Sequence, residues 1–249
     1  MKSVFQTDKG RIRTHNEDSG GVFTNQNNDR LAIVADGMGG HNAGDIASHM
    51  TIEQMKNYWS QLSEIESPDH AEQWLKMVIE KVNNEILSYS RQNVECSGMG
   101  TTLVTAICTN RFCTIANIGD SRCYIYNESG FQQLTEDHSL VNELVKSGEI
   151  TKEDAEHHPR KNVLVRALGT EEKVVADYRT ITFEEGDFLL LCSDGLSNKV
   201  SETEMERILT SQLSLTEKAE SFVSLANENG GEDNITIVLL EQAAEHESG

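Results

Sequence analysis

The chain has 249 residues, of which 37% are hydrophobic, and its 41 acidic against 21 basic residues give a formal net charge of −20. This length allows a sizeable core, and one domain over residues 1–241 is the economical interpretation. The acidic balance, with no Lys/Arg run longer than a pair, argues against nucleic acid or an anionic membrane as partner, because both are bound through basic surfaces.

The location and the cysteine chemistry follow from what the sequence lacks. No apolar run approaches the roughly 20 residues of a membrane helix, and the first residues lack the apolar core of a signal peptide. We therefore expect a cytoplasmic protein without membrane insertion. Five cysteines, with no C-x-x-C pair and none followed by five residues and Arg, predict no structural disulfide, no zinc site and no thiolate-phosphatase loop.

Hydrophobic periodicity predicts two strands and two helices in the first part of the chain. Short apolar runs predict strands at 22–24 and 31–35. Apolar positions at helical spacing predict helices at 42–60 and 69–92. Pro68 precedes the second of them, and proline favours the first turn of a helix.

The middle of the chain alternates between strand and turn patterns. Apolar segments separated by turn residues predict strands at 103–108, 112–118 and 122–126, joined as an antiparallel meander. A helix is predicted at 139–147. The polar and irregular residues 148–176 indicate a mobile surface subdomain.

The last part of the chain again combines strands with a pair of helices. A polar tail, which we expect to be frayed, follows at 242–249. Because strands are numerous and helices are grouped in pairs, the pattern predicts an α+β layer architecture and not alternating βαβ units. The predicted elements are strands at 178–183 and 188–192, helices at 201–212 and 215–228, and a strand at 235–240.

Four acids stand at the ends of apolar runs. Asp36 and Asp194 each precede a glycine at the end of such a run, and Asp120 and Asp233 lie beside others. A single Asp-Gly pair is most often a turn. Converging carboxylates, however, repel one another and need cations between them. Oxygen ligands without interleaved Cys or His suit magnesium, manganese or calcium better than zinc, so we predict a divalent metal cluster.

Seven motifs, each weak alone, occur in the order of one enzyme family and span residues 13 to 234. The chain thereby resembles the type 2C family of metal-dependent serine/threonine phosphatases, in its compact bacterial form. The resemblance implies a central β-sandwich of two antiparallel sheets flanked by pairs of antiparallel helices. The motifs are Arg13-x-x-Asn16-Glu17-Asp18, Val34-Ala35-Asp36-Gly37-Met38-Gly39-Gly40, Ser97-Gly98-Met99-Gly100-Thr101-Thr102, Gly119-Asp120-Ser121-Arg122, Leu134-Thr135-x-Asp137-His138-Ser139, Ser193-Asp194-Gly195-Leu196 and Asp233-Asn234.

The resemblance also implies the metal ligands. It implies that Asp36 bridges two Mn²⁺ or Mg²⁺ ions and that the Gly37 carbonyl binds one of them. Asp194 and Asp233 are implied to complete the first metal site. Asp120, together with Asp194, corresponds to a third and weaker site.

Further residues are implied to act around these metals. Arg13 is implied to bind the substrate phosphate and to be catalytic with the three main metal ligands. Glu17 and Asp18 are implied to orient metal-bound waters, with Glu17 as an alternative direct ligand. Residues 145–175 match the family's variable flap, whose implied role is substrate selection.

The general acid is the point at which the sequence departs from the pattern. Met38 stands where some family members carry a His that is a candidate general acid. His41 is near in sequence, but a His at a helix entry is more often structural or solvated. A water on a metal held by Asp120 is the alternative donor.

The implied activity is hydrolysis of phosphoserine and phosphothreonine in proteins, by a hydroxide held between two divalent cations. The expected partners are phosphorylated proteins and a bacterial serine/threonine kinase that the enzyme opposes, and a monomer is expected. One rival is a nucleotide fold at 31–50, which is weak because Asn42 occupies the last glycine position of G-x-G-x-x-G. The other is a calcium- or phosphoprotein-binding module without turnover, which the complete set of acids disfavours.

Overall fold

The computed structural model describes residues 1–40 and 43–243. Three parts of the sequence-based predictions lie outside the described residues. They are His41, residue 42 (the first of the helix predicted at 42–60) and residues 244–249 of the predicted tail. The strands of the described part form two antiparallel sheets. In chain order they are β1 (Lys2–Asp8), β2 (Asp18–Thr24), β3 (Arg30–Met38), β4 (Gly100–Thr101), β5 (Leu103–Cys108), β6 (Phe112–Ile118), β7 (Arg122–Asn127), β8 (Gly130–Gln133), β9 (Asp177–Thr182), β10 (Phe188–Cys192) and β11 (Ile235–Glu241).

The two sheets divide the strands without regard to their order along the chain. One sheet has the order β1-β11-β10-β7-β8, and the other has β2-β3-β5-β6-β9, with β4 paired to the end of β3. Every pairing is antiparallel, so the end of each strand lies beside the start of its neighbour.

Local signals account for the ends of the helices. Ser67 caps the second helix by accepting a hydrogen bond from the His70 backbone N–H at 3.2 Å, and Pro68 occupies its first turn. Capping boxes begin the last two helices. The helices are α1 (Ala43–Ser60), α2 (Pro68–Gln92), α3 (Leu140–Lys146), α4 (Lys152–Glu156), α5 (Asp194–Ser197), α6 (Glu202–Leu209) and α7 (Leu215–Glu228), with a 3₁₀ turn at Val94–Cys96.

Both faces of each sheet are covered, which explains the continuous apolar runs in the sequence. In β3, Ala32 and Val34 pack between the sheets, whereas Leu31 and Ile33 face α1 and α2. In β11, Val238 packs between the sheets and its neighbours on the other face meet α6 and α7. The result is a β-sandwich between two helical layers, which confirms the predicted α+β architecture.

The predicted meander at 103–126 is wrong in its third strand. β5 and β6 pair in one sheet, but β7 pairs with β10 in the other. Gly119, with φ of 99°, adopts a backbone conformation that side chains disfavour. The chain thereby turns at Asp120 and crosses from one sheet to the other. Local periodicity identifies the strands but not the sheet each one joins.

Other boundaries also differ from the sequence-based expectation. The strand predicted at 22–24 begins at Asp18, and the one predicted at 31–35 continues to Met38 because β4 pairs with its end. The segment predicted to be irregular at 148–176 contains α4, and the helix predicted at 201–212 ends at Leu209. Besides α4, the short or polar elements of the described residues that escaped prediction are β1, β4, β8, α5 and the 3₁₀ turn at Val94–Cys96.

Within residues 1–40 and 43–243, none of the helices combines the length and the apolar character that crossing a bilayer requires.

Phe222→Ala tests the packing of α7 on the sheet. Phe222 is fully buried between α7 and the five-stranded sheet, and loss of a buried Phe side chain costs about 3–5 kcal/mol. We expect a free energy of unfolding lower by this amount in urea titrations. Ser224→Ala, on the exposed face of the same helix, is the control. A loss of less than about 1 kcal/mol for the Phe222 variant would contradict the packing.

Candidate metal centre

Five predicted acids lie at one end of the sandwich. Asp36 pairs in register with Asp18 across β2 and β3. Asp194 follows β10, and Asp233 precedes β11, whose start pairs with the end of β10. Asp120 precedes β7, whose first residue also pairs with the end of β10. The antiparallel pairing therefore assembles side chains that are far apart in sequence.

The electrostatics show how closely these carboxylates approach. Asp36 is half-buried, and its withdrawal from water raises its pKa well above the ordinary value. The negative charges of four neighbours raise the pKa of Asp36 further: Asp18, Asp194, Asp120 and Asp233. A carboxylate in this position is stable only with a proton or another positive charge beside it.

The pKa values of three of these neighbouring carboxylates are raised as well. Burial raises the pKa of Asp18 to about 7, although a hydrogen bond from Ser193 opposes the shift. Burial and the charge of Asp194 raise the pKa of Asp120 to about 7. Burial and the charge of Asp233 raise the pKa of Asp194 to about 6. The whole cluster therefore attracts positive charge near neutral pH.

Two buried carboxylate oxygens have no hydrogen-bond partner. Asp18 accepts a hydrogen bond from the Ser193 hydroxyl at 2.7 Å through Oδ2, and Asp194 accepts one from Asn198 Nδ2 at 3.0 Å through Oδ2. The Oδ1 atoms of both residues are buried and unpaired. Because buried acceptors are nearly always satisfied in proteins, these oxygens are free to face a cation.

The donor set fits hard cations that keep part of their water shell. Among the described side chains, no group of three or more His, Cys, Asp or Glu is arranged to hold an ion by itself. Mg²⁺ does not need such a group, because it usually keeps several waters and binds one or two carboxylates. Carboxylate and carbonyl oxygens suit magnesium, manganese and calcium. The cluster therefore fits magnesium or manganese.

Gly37 allows close approach between the strand end and its surroundings. Its N–H donates to the Glu17 carbonyl oxygen at 3.1 Å. A Cβ at this position would lie 2.1 Å from the Gly44 carbonyl oxygen and 2.5 Å from that of Glu17. Only glycine fits here, so α1 and the Glu17 backbone contact the strand that carries Asp36 directly.

Burial raises the pKa of the Glu17 carboxyl, an effect that the positive charge of Arg13 opposes.

Arg13 lies beside one of the predicted metal ligands. Its Nη2 donates to Asp233 Oδ2 at 2.7 Å, and about half of its side chain (51%) is exposed. The guanidinium thus faces solvent at the rim of the cluster while it is held on one side by a carboxylate. This leaves donors of its planar fork free for an incoming anion.

Asn234 holds the Arg13 loop in place, a role that the sequence did not reveal. The loop at 9–17 has no regular structure. Asn234 is 5% exposed, accepts from the Glu17 N–H at 2.8 Å, and donates to the carbonyl oxygens of Lys9 and His15, both at 2.9 Å. Its position next to Asp233 was the only sequence signal, since its partners are more than 200 residues away.

Asp120 is placed by a second network. Thr102 Oγ1 accepts from the Asp36 N–H at 2.9 Å and lies 2.7 Å from Ser121 Oγ, which connects the two acidic segments. The buried His138 accepts from the Gly119 N–H through Nδ1 at 3.1 Å. Met38, paired with Gly100, supplies no ionisable proton to this region.

Comparison with known proteins places the chain in one family. The family model for protein phosphatase 2C matches residues 9–229. The serine/threonine phosphatase stp of Listeria monocytogenes is 53% identical over 242 residues, which cover 97% of this chain and 96% of that protein.

Solved structures agree with this match. The serine/threonine phosphatase Stp1 from Staphylococcus aureus has a TM-score of 0.91 at 38% identity, over 96% of this chain and 94% of that one. The catalytic domain of the serine/threonine protein phosphatase PstP, in complex with two manganese ions, has a TM-score of 0.84 at 31% identity, over 96% of this chain and 97% of that one. This chain therefore belongs to the protein phosphatase 2C family.

Proposed function

We propose that this protein hydrolyses phosphoserine and phosphothreonine in other proteins with two Mn²⁺ or Mg²⁺ ions. The observation that carries the proposal is the convergence of five carboxylates, buried or half-buried, at one end of the sandwich, with Arg13 beside them. Membership in the protein phosphatase 2C family, whose relatives are named serine/threonine phosphatases, supports an enzyme. It disfavours both the nucleotide fold and the binding module.

The metal ligands are assigned within this proposal. Asp36, Asp194 and Asp233 hold the two ions with the carbonyl of Gly37, and Asp120 contributes with Asp194 to a third, weaker site. Such ions, when bound, lower the pKa of water and neutralise charge on the phosphoryl group. The unpaired oxygen of Asp194 and the raised pKa of Asp36 support these assignments.

The chain's other residues position the substrate and the water. Arg13 binds the phosphate through the parallel N–H donors of its guanidinium. It is accessible to the substrate because about half of its side chain is exposed beside Asp233. Asp18, with its unpaired Oδ1, and Glu17 accept hydrogen bonds from water at the centre. Because Met38 has no ionisable proton, we assign the proton for the leaving oxygen to water beside Asp120.

The remaining assignments concern the setting of the enzyme. We propose that residues 1–241 form one catalytic domain, that residues 145–175 act as a flap for substrate selection, and that the enzyme is a cytoplasmic monomer opposing a serine/threonine kinase. Five free, buried cysteines support a reducing compartment.

Asp36→Asn tests the central carboxylate. The substitution removes a buried negative charge that four others oppose, so we expect a higher melting temperature of the metal-free protein. Turnover of a phosphothreonine peptide with Mn²⁺ should fall at least about 100-fold, because the bridging charge is lost. Asp69→Asn, at an exposed position, is the control. Retained turnover would refute the assigned role of Asp36.

The stabilisation by Mn²⁺ should depend on pH. The pKa values of Asp18 and Asp194 rise from 3.8 to about 7 and about 6. Their protonation therefore stabilises the metal-free fold fully below pH 3.8, and this contribution is lost as pH rises through 6 to 7. The gain in melting temperature on adding Mn²⁺ should be larger at about pH 8 than at about pH 5, since protons compete with the metal. Equal gains would contradict this.

Arg13→Ala tests the side chain assigned to the phosphate, and Asn234→Asp tests the placement of the loop that carries it. We expect Arg13→Ala to raise KM about tenfold or more, because it removes a charge-assisted contact. Asn234→Asp keeps the acceptor for Glu17 but loses both donors to the loop, so it should also raise KM. Asn229→Asp, an exposed amide that donates only to Lys199, should leave KM unchanged. An unaltered KM in the Arg13 variant would exclude its role.

A further inference from the structure

A cleft of about 810 Å³ extends from the carboxylate cluster to the flap. Asp120 and Asp194 are among its lining residues, so it is continuous with the proposed reaction site. Its lining also includes Lys152 and Lys161 of the flap, and Lys199. Its volume falls in the range of ligand pockets and exceeds what a phosphate group alone would fill.

The acidic side chains that line this flap cleft outside the carboxylate cluster already have partners. Asp137 forms a two-pronged ion pair with Arg122, at 2.9 and 2.7 Å. Glu136 pairs with Lys146 at 2.8 Å, and the Glu204 carboxylate caps α6 at Ser201. Asp137 and Glu136 are therefore neutralised by ion pairs within the protein, and the Glu204 carboxylate is held by hydrogen bonds at its helix end.

The lysines of the cleft are not compensated to the same extent. Among the described side chains, neither Lys152 nor Lys161 has a carboxylate within ion-pair distance. Lys199 pairs with Glu232, and Lys161 lies near enough to contribute to the lowered pKa of Glu232. Lys199 thus has an ion-pair partner, whereas Lys152 and Lys161 have none among the described side chains. Two lysines without an ion-pair partner line a cleft that also holds acids of the proposed reaction site, so an incoming carboxylate can pair with them.

We propose that the flap cleft binds acidic residues, Asp or Glu, that flank the phosphorylated residue of a substrate. Lys152 and Lys161 are the specificity-determining side chains, and both are exposed and able to reach an incoming chain. The carboxylates of the substrate pair with the ammonium groups of these two lysines, which have no ion-pair partner among the described side chains. This inference rests on the proposed phosphatase function.

The test compares two phosphothreonine peptides on the full chain with Mn²⁺. One peptide has Ala and Gln on both sides of the phosphothreonine, and the other has Glu at the same positions. The ratio of kcat/KM for the acidic over the neutral peptide should be about three- to tenfold, as expected for two partly exposed ion pairs. It should decrease when ionic strength rises from about 0.05 to about 0.5 M.

Lysine variants test whether Lys152 and Lys161 cause the preference for the acidic peptide. The double variant Lys152→Gln/Lys161→Gln should bring the ratio near one, and Lys152→Glu/Lys161→Glu should invert it below one. Lys173→Gln, on the flap but outside the cleft, should leave the ratio as in the unmodified protein. Because each ratio uses the neutral peptide as its internal reference, general losses of activity cancel.

Each outcome bears on a different claim. Hydrolysis of neither peptide would overturn the proposed function itself. Hydrolysis of both with no acidic preference, or with a preference that the double variants retain, would overturn the inference about the cleft and leave the phosphatase assignment intact.

Discussion

The gathering of five carboxylates, buried or half-buried, is the constraint on which this structure depends. Placing Asp36 among four other acids is unfavourable in a metal-free fold, as the raised pKa of Asp36 shows. The sandwich tolerates this because its core is extensive on three levels, two under the helices and one between the sheets. Stability supplied by apolar burial thus offsets a site that disfavours folding until positive charge arrives.

The architecture places the acids at the site through strand ends and not through long loops. In two antiparallel sheets that pack face to face, the ends of β3 and β10 and the starts of β2, β7 and β11 meet at one edge. The connection at Gly119 crosses between the sheets at this edge. The acids therefore lie in or next to hydrogen-bonded strands, which suits a site that must hold cations at set positions.

The segments around the carboxylate cluster are less regular in structure than the strand ends that carry the acids. Arg13 lies on an irregular loop that Asn234 fastens by three hydrogen bonds. The flap carries exposed lysines that line a cleft in which Asp137 and Glu136 already have ion-pair partners. Acids at the ends of paired strands, surrounded by irregular segments, are consistent with one chemistry acting on varied polypeptides.

Much of this protein was determined by its sequence alone. Apolar runs at 103–108 and 235–240 predicted strands, and the structure places strands there, with both faces buried. The order of short motifs indicated the family, and the structure gives a steric reason for one of their glycines, since Gly37 tolerates no side chain. The candidate acids were visible because each one stands next to an apolar run in the sequence.

Only the tertiary structure decided which sheet each strand joins and which polar groups meet. The crossing of β7 to the second sheet, the contacts of Asn234 with Lys9 and His15, and the pairing of Arg13 with Asp233 join residues far apart along the chain. Periodicity and propensity describe a residue's near neighbours in sequence. Side-chain hydrogen bonds and charge coupling depend on distance in space, which only the packed chain defines.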